Sequence, residues 1–391
     1  MEIELWWLLV LPVFFIFGWI AARIDIKHLL RESRALPRSY FKGLNFLLNE
    51  QPDQAIEAFL EAARVDPETI ELHFALGSLF RGRGETDRAI RVHQNLIERD
   101  GLTPRQRLHA LSELGQDYLK AGLLDRAEEI FLKLRGTERD EEALQNLLEI
   151  YQQEKEWARA IAVAEAMPDH ADHLWQKEIA EFRCEMAATE ILHDRHDEAR
   201  RLLDAALAAN RKCVRATLLR AELEAKAGNG EAAIDLWKSI EQQSPIYLPL
   251  AAEKLMAVHD QLGRGEAGVQ VLRGWLERHP SVDLLDAVFR AELESGGAEA
   301  GYALVRNELR RNPTLLGLDM FLEAQILVAP AERRADIELI KNLIHNHTRR
   351  VARYRCDACG FKARQFYWRC PGCGGWETYP PRRTEEFDLS L

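Results

Sequence analysis

An all-α array of stacked helix pairs is the fold class this sequence predicts, and three recurring features predict it. Small residues return at near-constant spacing, at Ala55, Ala89, Ala127, Ala160, Ala199, Ala233, Gly268 and Gly301, with gaps of 34, 38, 33, 39, 34, 35 and 33 residues. Large apolar residues keep the same phase, with Phe59, Phe131, Trp237 and Leu272 each four residues after an anchor. Prolines at Pro67, Pro245, Pro280 and Pro313 precede new apolar patterns, where they stop one helix before the next begins. Small side chains let two helices approach closely, and aromatics fill the space beside them.

The clearest copy runs from Gly43 to Pro67, with Phe46, Ala55, Phe59 and Ala62 at the contact positions of a 34-residue tetratricopeptide unit. Such a pair has two apolar faces and needs a neighbour on each side, so it implies a superhelical stack. The expected array covers residues 36–313 in about eight pairs, with capping helices over 314–350. The longer gaps imply inserted residues near Gly101–Arg105 and His170–Leu174. Later repeats are degenerate, since Glu224 and Glu292 stand where Phe46 and Phe80 stood. In the second capping helix Ile337, Ile340, Leu343 and Ile344 are expected to form the packing stripe. A stacked array offers a groove lined by its first helices, and Arg81, His109, Gln116 and Lys120 are the candidate partner-binding residues there.

Ahead of the array, Leu5 to Ala22 is an unbroken run of 18 apolar residues. At about 1.5 Å per residue it reaches roughly 27 Å, enough for one bilayer crossing. Glu2 and Glu4 precede the run, and Arg23, Lys27, Arg31, Arg34 and Arg38 follow it. That asymmetry predicts an anchor over 1–22, a juxtamembrane linker over 23–35, and the bulk of the chain on the cytoplasmic side.

Near the other end lies Cys356-x2-Cys359-x10-Cys370-x2-Cys373, which holds four of the six cysteines. Its knuckles read Cys-Asp-Ala-Cys-Gly and Cys-Pro-Gly-Cys-Gly, with glycines that allow backbone amides to turn toward sulfur. Four thiolates at this spacing make a closed tetrahedral site for one metal ion per chain, zinc first and iron second. So small a segment, residues 351–380, needs the metal to fold, and Tyr354, Phe366, Tyr367, Trp368 and Trp376 are expected to pack around it. An acidic tail follows over 381–391. Cys184 and Cys213 fall on repeat helices as buried small hydrophobes.

Net charge is −11 over 391 residues, which argues against nucleic acid as a partner. Enzyme signatures do not survive inspection. Gly263-Arg264-Gly265-Glu266-Ala267-Gly268 fits a dinucleotide-binding formula but falls between two helices, without the strand that formula requires. His193 and His196 have no third ligand at metal-binding spacing. No GxSxG, HExxH or Walker motif occurs, so the chain reads as a non-enzyme.

The order of anchor, helical repeats and four-cysteine ribbon resembles the lipopolysaccharide assembly protein B family (LapB, also called YciM) of Gram-negative bacteria. Tyr354-Arg355-Cys356 through Trp368-Arg369-Cys370-Pro371-Gly372-Cys373, then Trp376, look like that family's rubredoxin-type module. The resemblance implies a single-pass protein of the bacterial inner membrane, its N-terminus periplasmic. It implies an adaptor that promotes degradation of LpxC by the protease FtsH and helps organise other lipopolysaccharide assembly proteins. A PbgA/YejM-type membrane regulator would oppose it. The alternative is a rubredoxin-type electron-transfer protein on a repeat scaffold, with iron in the ribbon; a third reading is a ribbon that binds nucleic acid.

Overall fold

The computed structural model describes residues 38–65, 69–168 and 173–385. The predicted anchor and linker, Pro67, much of the expected 170–174 insertion and most of the acidic tail lie outside these residues. Among the described residues no helix is long and apolar enough to cross a membrane. The chain divides into two compact units at Ile150–Tyr151.

The first unit holds α1 (Arg38–Leu48), α2 (Pro52–Val65), α3 (Ile70–Gly82), α4 (Thr86–Ile97), α5 (Pro104–Lys120) and α6 (Leu124–Leu134). Helix α7 (Asp140–Glu154) carries the division between the units. Its core is built from the repeat positions: Ala55, Phe59, Ala62, Leu72, Leu76, Phe80 and Ala89 form one buried cluster. The small-to-aromatic phase has a steric cause. A Cβ on Gly43 would sit 2.6 Å from the Phe59 ring, and one on Gly115 would sit 2.7 Å from Phe131. At the intervening repeat Gly77 faces His93, so a histidine takes the aromatic's place. The extra residues before α5 form a capping box, in which Thr103 accepts from the Gln106 amide and Gln106 accepts from the Thr103 amide, with Pro104 opening the helix.

The second unit continues with α8 (Trp157–Glu165), α9 (His173–Leu192), α10 (His196–Ala209), α11 (Val214–Lys226), α12 (Gly230–Gln243), α13 (Leu248–Gln261) and α14 (Gly265–Arg278). Helices α15 (Val282–Arg311), α16 (Leu315–Val328) and α17 (Ala331–Val351) complete it. Between the helices of each pair one residue enters the left-handed region: Glu50, Gly84, Gly122, Lys155, Asp194, Gly228 and Gly263. Gly297, at φ 78°, holds the same place inside α15, so that long helix is itself a pair joined by a minimal turn. Gly263 belongs to this series, which makes the dinucleotide-like GxGxxG an inter-helix turn.

The terminal helix departs from expectation. In α17 Ile337 and Ile344 are half-buried, but Ile340 is 48% and Leu343 65% exposed. The helix turns Ile337, Lys341, Ile344 and Thr348 toward its neighbour instead, the i, i+4, i+7, i+11 line of one helical face. Glu292, read as a degenerate position, is buried and held by Arg273. The chain then forms β1 (Ala352–Arg355), β2 (Lys362–Ala363) and β3 (Arg383–Glu385), an antiparallel sheet in the order β2-β1-β3.

Candidate metal centre and its seat on the repeats

The two knuckles face each other. Cys356 Sγ lies 3.8 Å from Cys373 Sγ, Cys359 Sγ lies 3.7 Å from Cys370 Sγ, and all four sulfurs fall within 4.8 Å of one another. A tetrahedron with metal–sulfur bonds of about 2.3 Å has edges of about 3.8 Å, so the spacing fits one closed tetrathiolate ion. It is far too long for disulfides, and the cysteines are free. Backbone amides complete the knuckles: Gly360 N–H reaches Cys356 O at 3.0 Å, Gly374 N–H reaches Cys370 O at 2.8 Å, and Gly372 N–H points at Cys370 Sγ at 3.4 Å. Gly360 and Gly374 both hold positive φ, as the tight turns demand.

The sulfurs differ electrostatically. Burial opposes the Cys356 thiolate, but the Thr378 hydroxyl and the amides of Cys359 and Ala358 outweigh it and bring the thiol down to about 6. Burial, reinforced by Cys356 and Cys359, pushes Cys370 up to about 12. A divalent cation at the centre relieves that conflict, because it stabilises all four as thiolates.

The aromatic residues expected around the metal divide into two sets. Tyr354, Phe366 and Tyr367 pack beside Cys356 and Cys370, together with the fully buried Tyr379, which sequence reasoning missed. Tyr379 donates its hydroxyl to Tyr354 O at 3.0 Å and closes this small core. Trp368 and Trp376 instead reach the repeats, and Phe366 touches both sides, meeting Tyr247 edge-on at 6.4 Å. Trp368 stacks on Tyr247 at 5.5 Å with 9° between planes, and Trp376 meets Trp157 and Phe182 edge-on, both at 6.0 Å.

Polar contacts fix this seat. Arg369 donates to Gln152 O at 3.2 Å, and the Arg383 amide donates to Asp283 Oδ2 at 3.0 Å while its guanidinium pairs with the same carboxylate. Arg215, on α11, lies 5.7 Å from the Trp368 ring and 5.8 Å from the Trp376 ring. It pairs with Glu181 at 3.2 Å and Glu185 at 2.8 Å. Each of these repeat residues except Trp157, Gln152 and Tyr247 lies on α9, α11 or α15, the first helices of their pairs. Sequence reasoning did not find Glu181, Arg215, Tyr247 or Asp283. The available signal was a charged residue inside an apolar helix pattern, as at Glu181 between Ala180 and Phe182.

The proposed groove residues lie in the first unit. Arg81 bridges Glu113 and Asp117, at 2.7 Å each, and Asp117 also holds the buried His93 at 2.5 Å. His109 stacks on Phe74 at 4.2 Å, and Gln116 donates to Asn146 Oδ1 at 2.8 Å. Lys120 is exposed at the end of its helix. Three of the four thus tie neighbouring repeats together. Cys184 and Cys213 are buried with their sulfurs 3.8 Å apart. His193 caps its own helix through Thr189 O at 2.9 Å.

Comparison with known proteins agrees with this architecture. Residues 354–381 match the family model of the rubredoxin metal binding domain, and residues 42–101 and 193–245 match that of the tetratricopeptide repeat. The lipopolysaccharide assembly protein B of Escherichia coli strain K12 is 35% identical over 381 residues, which covers 96% of this chain and 97% of that one. Its counterpart in Haemophilus influenzae is 32% identical over 397 residues, covering 98% and 99%. Full-length similarity of this kind, joined to the repeat array and the four-cysteine ribbon, shows that the chain belongs to the lipopolysaccharide assembly protein B family.

Proposed function

We propose that this protein is a membrane-bound adaptor that regulates lipopolysaccharide assembly without catalysing a reaction. The observation that carries the reading is likeness to relatives named for lipopolysaccharide assembly across nearly the whole chain, with all four ribbon cysteines in place. The relatives' names favour this role over electron transfer. In the finer form of the proposal the client is LpxC, the protease is FtsH, and a PbgA/YejM-type membrane protein opposes the adaptor. The apolar run Leu5–Ala22, followed by cations, supports attachment to the inner membrane with the repeats on the cytoplasmic side.

Cys356, Cys359, Cys370 and Cys373 would hold one metal ion. Bound there, zinc supplies a cross-link between the knuckles and offers no open position to a substrate. The chain's own part is to present surfaces. The first unit offers the polar face around Arg81, His109, Gln116 and Lys120 as a candidate seat for the client. In the second unit the first-helix face is already occupied by Trp368 and Trp376.

Deleting the gene and following LpxC after protein synthesis is stopped tests the proposal. A longer LpxC lifetime, restored by the wild-type chain, is the expected result. Unchanged turnover would refute the adaptor role.

A further inference from the structure

The seat of the ribbon brings together two acids, one from the repeats and one from the ribbon. Glu181 on α9 is fully buried, and Glu377 of the ribbon, itself half-buried, reaches the same spot. Carboxylate oxygens of both and Cys213 Sγ all lie within 4.8 Å of one another. Glu377 stands at φ 53°, in the left-handed region, and is the one non-glycine residue of the described ribbon to do so. Its backbone amide donates to Trp368 O at 3.2 Å, which ties the residue after Trp376 to the other seated tryptophan.

The charges around the pair do not balance. From α9 come Lys177, beside Glu377, and Glu185, from α11 comes Arg215, and the Cys213 thiol donates to Glu181 at 3.6 Å. Tyr247 is the neutral neighbour, held neutral first by burial and then by the field of Glu377 and Glu181. Two cations, Lys177 and Arg215, thus face three acids, Glu181, Glu185 and Glu377. Arg215 is already committed to both Glu181 and Glu185. Two carboxylates this close, in a site that excludes water, repel when both are ionised.

We propose that the ribbon seats on the repeats by taking up a proton between Glu181 and Glu377, which makes the contact a latch that loosens as the surroundings become more alkaline. Burial, with Glu377 adding to it and Arg215 opposing, raises Glu181 from 4.5 to about 7. Burial also raises Glu377, against the pull of Lys177. Lifting the ribbon rehydrates both groups and returns them toward ordinary carboxyl behaviour. The docked state then binds more protons than the open one between about pH 4.5 and about pH 7, so docking weakens as pH rises through that window and levels off above it. If the whole Glu181 shift came from docking, the docking constant would fall about tenfold from about pH 6 to about pH 8.

The test uses the full-length protein, zinc-loaded and in detergent. Hydrogen exchange is measured at about pH 6 and about pH 8 and converted to protection factors so that intrinsic rates cancel. Protection of residues 366–378 and 176–186 should fall several-fold, up to about tenfold, toward the alkaline side. Glu377→Gln, which keeps the shape but removes one of the two carboxyls, should show a smaller decline than wild type, the remainder coming from the buried Glu181, and more protection than wild type at about pH 8. Zinc measured in the same samples separates this from ligand protonation, which loosens the ribbon toward acid, in the opposite direction. Equal protection at both values in the wild type, or the same decline in Glu377→Gln, would overturn the latch.

Discussion

The first-helix faces of the two units solve the same problem in different ways. In the first unit the face is polar and closes on itself: Arg81 spans to Glu113 and Asp117, Ser112 bonds Glu142 at 2.5 Å, and Gln116 bonds Asn146. In the second unit the face carries Phe182, Arg215 and, beside them, Trp157 and Tyr247, which a ribbon covers with two tryptophans. One repeat geometry therefore supports either a solvated ladder that can meet a partner or an apolar bed that needs a cover. The difference lies in side chains that the repeat pattern does not constrain.

Breaking the cover at its source gives the largest effect. Structural zinc contributes about 10–16 kcal/mol to modules of this kind, so Cys359→Ser should unfold the ribbon and release the metal. Far-ultraviolet circular dichroism should retain the helical signal, because the repeat cores around Phe59 and Trp237 do not include the ribbon sulfurs. Collapse of the helical signal would make array and ribbon one cooperative unit.

A smaller effect separates docking from folding. Trp376→Ala removes the edge contacts to Trp157 and Phe182 but none of the ligands, and should weaken the seat by about 2–4 kcal/mol. Elemental analysis should still find one metal per chain, while hydrogen exchange shows α9 newly exposed. In the first unit Arg81→Ala should cost only about 1–2 kcal/mol in denaturant titration, since Asp117 keeps His93. The smallest change is a gain. Lys155 sits at φ 60° in an inter-helix turn where most repeats use glycine, and Lys155→Gly should stabilise the second unit by about 0.5–1 kcal/mol.

The array was legible because its signals are local. Ala55, Phe59 and their counterparts repeat because each must fit the helix beside it in sequence, and the steric fit of Gly43 to Phe59 is that rule in atoms. The four cysteines were legible because ligand spacing is set within two short turns. The seat was not. Trp376 meets Trp157 and Arg383 meets Asp283 across more than ninety residues with no shared period, so nothing in the spacing announces either contact. Position beside the knuckles points Trp368 and Trp376 to the metal's surroundings, because aromatics near a knuckle usually serve its core. Tyr379 fills that role and frees both to bind the repeats. The stripe expected on α17 overcounted for a related reason: Ile340 and Leu343 lie off the narrow line that meets its neighbour.

The central claim is that a metal-held ribbon covers the first-helix face of the second unit. Hydrogen exchange of the full-length protein before and after metal is removed by a chelator tests it most directly. The account predicts that protection falls in the ribbon and in residues 176–186 and 213–222, while residues 70–97 keep theirs. Unchanged protection at 176–186 and 213–222, with the ribbon fully exchanged, would contradict it.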